Sequence, residues 1–96
     1  MAADTPVAPE LSAATRATVD TPALVVDLDR MDRAIERMAS AMAERGVALR
    51  PHAKTHKSIE VGRRQIAASA GGLTVGTIGE AETFVEGGLD DLFIAY

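Results

Sequence analysis

The chain has 96 residues, 47% of them apolar and 25% charged, the composition of one small folded domain rather than of a disordered chain. Its 14 acids and 10 bases leave a net charge of −4 and a pI near 5.0, which argues against general affinity for nucleic acid or an anionic membrane. The absence of cysteine excludes disulfide frameworks, thiolate metal sites and cysteine nucleophiles, and no apolar run reaches the ~20 residues of a membrane span. Asp4, Pro6, Pro9 and Glu10 interrupt the alanine-rich start. It therefore does not read as a secretory signal, and a cytoplasmic location is the expectation.

Residues 1–19 carry no clean hydrophobic period and read as a flexible N-terminal arm. Patterned sequence begins near residue 20 and runs to 96. Residues 23–27 (ALVVD) have the composition of a short buried strand. Asp29 then offers a helix cap, with Asp32 in the first turn, and Asp27 at the strand end reads either as facing the site or, the better reading, as a cap that orients the turn into the helix. Met31, Ile35, Met38 and Met42 make one apolar stripe at helical spacing, expected to be core, and Gly46 ends the helix.

A second strand is expected over 47–51, running into His52, Ala53 and Lys54. Ser58 caps the next helix, with Glu60 in its first turn and Ile59, Ile66 and Ala70 on its inner face. Gly71 and Gly72 end that helix. A third strand spans 73–75. Thr77 and Glu80 then have capping-box spacing for a helix reaching about residue 86, and Gly87 and Gly88 close it. A last strand covers 92–95. Strand starts near 23, 47, 73 and 92 have the rhythm of repeated strand–helix units and predict an α/β fold with a parallel sheet. Four strands and three helices are equally consistent with half of a (β/α)₈ barrel and with a small open sheet.

Chemistry concentrates in Arg50-Pro51-His52-Ala53-Lys54-Thr55-His56-Lys57. This run follows an apolar strand and precedes a capped helix, the end of a strand where parallel α/β folds place their sites. Alternation along an extended chain puts Arg50, His52 and Lys54 on one face and Leu49 and Ala53 on the other. A lysine placed beside other cations and partly desolvated can act as a free amine and form a Schiff base. Pyridoxal phosphate enzymes need such a lysine. A basic run is also the composition of a solvated edge. His52 and His56 stand four apart, a metal spacing on a helix, but Pro51 and the strand context argue against a helix there. Tyr96 reads either as a pocket wall or as a half-buried aromatic.

The runs TPALVVDLDRMDRAIERMA, GVALRPHAKTHKS and GGLTVGTIGEAETFVEGGLDDLFIAY resemble the N-terminal part of the D-threonine aldolase and D-serine dehydratase family. These are fold-type III pyridoxal phosphate enzymes related to alanine racemase. The resemblance covers about residues 20–96, and the RPHxKTHK segment is its most specific part. It implies that residues 20–96 form the N-terminal half of a cofactor-binding (β/α)₈ barrel, with Lys54 as the catalytic lysine that bonds pyridoxal 5′-phosphate. His52 would line the cofactor site, and Lys57, the rival lysine, is disfavoured. The resemblance further implies a lyase acting on β-hydroxy D-amino acids, either as an aldolase or as a dehydratase. It also implies a divalent metal and phosphate-binding loops beyond Tyr96, and a homodimer of the whole protein. The chain alone is then expected to be inactive or nearly so. An amino acid racemase, a non-catalytic pyridoxal phosphate carrier and a small interaction protein are the alternatives.

Overall fold

Ser12 caps a short helix, α1 (Ala13–Thr18), in the computed structural model, which describes residues 11–69 and 71–95. The Ser12 hydroxyl accepts the Thr15 N–H at 3.1 Å, and no residue of α1 is buried. This helix lies in the stretch expected to be a flexible arm. Residues 1–10 of that arm, Ala70 and Tyr96 lie outside the described residues.

The segment 23–27 does not form the expected strand. It pairs with no other strand among the described residues, and Leu24 is 94% exposed. A strand exists through its ladder, so apolar composition without a hydrogen-bonding neighbour leaves an extended coil. Asp27 instead caps α2 (Leu28–Glu44), its carboxylate accepting the Arg30 N–H at 3.2 Å. Asp29, the expected cap, sits in the first turn, where its charge still complements the helix dipole. Gly46 takes up φ 67, the left-handed conformation that ends a helix at low cost in glycine.

The methionine stripe of α2 is only partly covered: no α2 residue is buried, and Met38 is 53% exposed. The sheet face expected beneath it is incomplete, because 47–51 also lacks a regular strand. That segment reaches the sheet only at its end, through a parallel bridge between His52 and Thr74. There the Ala53 N–H donates to the Thr74 carbonyl at 2.8 Å, and the Thr74 N–H donates to the Pro51 carbonyl at 2.7 Å.

From residue 58 the elements follow the sequence closely. The Ser58 hydroxyl accepts the Val61 N–H at 3.2 Å and caps α3 (Ile59–Ser69), which packs against α2. The strand β1 (Leu73–Val75), the helix α4 (Ile78–Glu86) and the strand β2 (Leu92–Ile94) come next. β1 and β2 are parallel, with Leu73 beside Leu92, Thr74 beside Phe93 and Val75 beside Ile94. The architecture is thus mixed helix and strand around a two-stranded parallel sheet, extended by the bridge at His52, rather than four full strands. Ala53, Leu73, Val75 and Phe84 are the buried core, and Ile59, Ile66, Ala81, Leu89 and Leu92 pack on it.

Candidate functional site

The alternation expected along 50–54 holds where it matters most. Ala53 is fully buried, while His52 and Lys54 on either side of it are exposed. The bridge to Thr74 carries this segment alongside β1, so that His52 and Lys54 come beside Gly76, just past the end of that strand. A Cβ placed on Gly76 would lie 3.7 Å from His52 Cε1 and 3.8 Å from Lys54 Cβ. Glycine there keeps open the space between the two side chains. The Lys54 N–H donates to His52 Nδ1 at 3.2 Å, which gives a neutral ring the tautomer with its proton on Nε2.

Arg50 does not join them. Its guanidinium donates to the carbonyls of Leu73 at 3.3 Å and Asp91 at 3.1 Å, and to Asp91 Oδ1 at 2.9 Å. It therefore ties the start of β1 to the residue preceding β2 and serves the sheet. The partner that draws it away lies 41 residues downstream, beyond the reach of a local reading of side-chain alternation.

The two lysines of the turn differ. The Lys54 ammonium makes no hydrogen bond or ion pair among the described residues, and it is exposed rather than desolvated. Lys57 Nζ donates to the Lys54 carbonyl at 2.6 Å and stands 3.7 Å from Glu80 Oε2. His56 is also committed: its Nδ1 accepts the Ser58 N–H at 2.9 Å, so Nε2 carries the proton and donates to Gln65 Oε1 at 3.0 Å. Its ring stands edge-on to Phe84, 6.5 Å between centroids. His56 thus holds the start of α3 against the core. No group of three or more metal-ligating side chains occurs among the described residues.

Glu80 joins the site from α4. Its Oε1 accepts the Gly76 N–H at 2.9 Å, while its own N–H donates to Thr77 Oγ1 at 3.1 Å. A regular capping box would return the glutamate to the cap residue's own N–H. Here it reaches one residue further back and fixes the turn that leaves β1. The T-x-x-E spacing signalled the cap, but nothing local signalled the link to Lys57. A cleft of about 500 Å³ lies beside these groups, lined by Lys57, Thr77, Gly79, Glu80, Thr83 and Phe84. A second cavity, about 380 Å³, is mostly apolar and touches the site only at His52, its walls coming from Ile35, Met38, Leu49 and Pro51 among others.

The turn thus holds an exposed amine, unpaired among the described residues, beside the end of β1. The chain's homologues are dehydratases and aldolases of the D-threonine aldolase-like family. It is 54% identical over 78 residues to D-threo-3-hydroxyaspartate dehydratase of Delftia sp. strain HT23, covering 81% of this chain and 20% of that protein. It is 42% identical over 79 residues to D-threonine aldolase of Arthrobacter sp., covering 82% of this chain and 21% of that protein. It is 32% identical over 87 residues to 3-hydroxy-D-aspartate aldolase of Paracoccus denitrificans, covering 90% of this chain and 22% of that protein. The solved structure of the Delftia dehydratase superposes with a TM-score of 0.79 at 53% identity, covering 82% of this chain and 21% of that chain. The chain therefore spans about a fifth of the length of the relatives it matches. No protein-family model matches it.

Proposed function

We infer that Lys54 is the residue that bonds pyridoxal phosphate in a lyase acting on β-hydroxy D-amino acids. The observation that carries this reading is the contrast between the two lysines. Lys54 presents an amine with no partner among the described residues, beside His52 and the open face of Gly76, while Lys57 is held by two oxygens. The names of the homologues support the substrate class, since all act on hydroxylated D-amino acids. Aldolase and dehydratase both remain within it. The parallel arrangement of 51–53, β1 and β2 supports residues 20–96 as part of a (β/α)₈ barrel.

The cofactor fits the residues at one point, the amine. When bound, pyridoxal phosphate supplies an electron sink for bonds broken at the α-carbon of an amino acid. The chain's own residues do the positioning. His52 holds the Lys54 backbone through the Lys54 N–H, and Gly76 leaves room between the two side chains. A divalent metal does not fit the described residues, which offer no cluster of ligands for one, so no step is assigned to a metal here.

The test is trapping. Borohydride reduction after incubation with pyridoxal phosphate should place most of the label on Lys54, and Lys54→Ala should remove that share. That substitution removes an exposed side chain without partners, so the fold should hold. Equal labelling of the Lys54→Ala chain would defeat the assignment.

A further inference from the structure

Two lysines three residues apart in one turn are both amines that an aldehyde can take. Lys57 lies at φ 53, a left-handed conformation that residues other than glycine seldom adopt. From there its Nζ reaches the Lys54 carbonyl and Glu80. The Glu80 side chain is only 12% exposed, and its carboxylate is fixed by the Gly76 N–H. Among the described residues, Lys57 is the one cation paired with this carboxylate.

We propose that Glu80 selects Lys54 as the cofactor lysine by holding Lys57 as its ion-pair partner. The proposal rests on the reading of Lys54 given above. To bond an aldehyde, a lysine nitrogen uses its lone pair to form a carbon–nitrogen bond. The carbonyl oxygen then departs as water, taking the two hydrogens of the neutral amine. Lys57 can follow that course only by leaving a mostly covered carboxylate without its cation. Lys54 breaks no contact to do so. Glu80 and Lys57 are positioning residues: they act on which nitrogen reacts, and Lys57 also fixes the backbone at the Lys54 carbonyl.

The experiment uses the intact chain, with pyridoxal phosphate as probe. Borohydride supplies hydride to the carbon and a proton from water completes the nitrogen, so the label is permanent. Peptide mapping then reads the ratio of label at Lys57 to label at Lys54. Glu80→Gln retains an oxygen for the Gly76 N–H but removes the charge. The ratio should rise about fivefold, the upper end of what a partly exposed ion pair supplies. Thr77→Ala weakens α4 without touching the pair and should leave the ratio unchanged.

An unchanged ratio in Glu80→Gln overturns the proposal. So does an equal rise in Thr77→Ala, because loosening α4 would then be the cause. Absence of label at Lys54 in the unmodified chain defeats instead the reading of Lys54. If Glu80→Gln does not fold, 1 M salt on the unmodified chain screens the same pair, with a Debye length of ~3 Å. A rise in the ratio there supports the proposal, and a constant ratio overturns it.

Discussion

Gly72 stands where three parts of the chain converge. A Cβ on it would collide with the Asp91 carbonyl oxygen and the Arg50 guanidinium, and would lie 2.7 Å from Asp91 Cγ. The nearest obstacle is backbone and cannot swing aside. Gly72→Ala should therefore cost about 1–3 kcal/mol, the usual range for overpacking. A thermal midpoint equal to that of the parent chain would contradict this. The same residue explains why Arg50 leaves the site face: the close approach that Gly72 permits brings Asp91 within reach of the guanidinium. At Gly76 the corresponding contacts are all 3.6 Å or more. An added methyl would be tolerated by the fold there but would occupy the space beside Lys54.

Among the elements, α4 depends on its cap. Thr77→Ala removes the acceptor of the Glu80 N–H and should destabilise the chain by about 0.5–2 kcal/mol, read as the midpoint of urea unfolding. The pairing of α2 with α3 is anchored by Arg64, which holds both oxygens of Asp32 at 3.0 and 2.8 Å and Glu60 at 3.3 Å. The hydrogen bonds that Arg64 donates to the Asp32 carboxylate, more than the charge of Asp32, raise the Arg64 guanidinium above its ordinary range. A group whose pKa is raised on folding contributes fully below its unfolded value and loses that contribution only as pH climbs through the folded one. Arg64 should therefore add no slope to stability between pH 5 and 9, and a stability profile of Arg64→Gln parallel to the parent's over that window would confirm it. These elements were legible in the sequence because their signals are local. Ser58, Thr77 and the paired glycines mark the ends of α3 and α4, and the short runs 73–75 (LTV) and 92–94 (LFI) fit strands. The expected strands at 23–27 and 47–51 had the same apolar composition, yet a strand is made by its neighbour, and composition cannot supply one. The contrast between Lys54 and Lys57 was invisible for a similar reason: it depends on a glutamate 23 residues from Lys57, brought there by the turn after β1.

Over the whole molecule, burial is uneven. Leu24, Val26, Met38, Val47, Ile78 and Phe93 are all more than half exposed. The four buried residues and the five packed on them all fall between Ala53 and Leu92. The first half of the chain adds α1, with nothing buried, and α2, joined to the rest through α3. The cooperative unit is thus shorter than the chain. Hydrogen exchange should show the Ala53, Leu73 and Thr74 amides opening only with global unfolding, while α1 and the first turn of α2 exchange by local fraying. Uniform protection across both halves would refute that division. Its corollary is a ranking of damage: a protease cut near Gly46 would leave Lys54 in its folded surroundings, whereas a single cut between Gly87 and Leu92 would take β2 from the sheet and release the turn that presents the lysine.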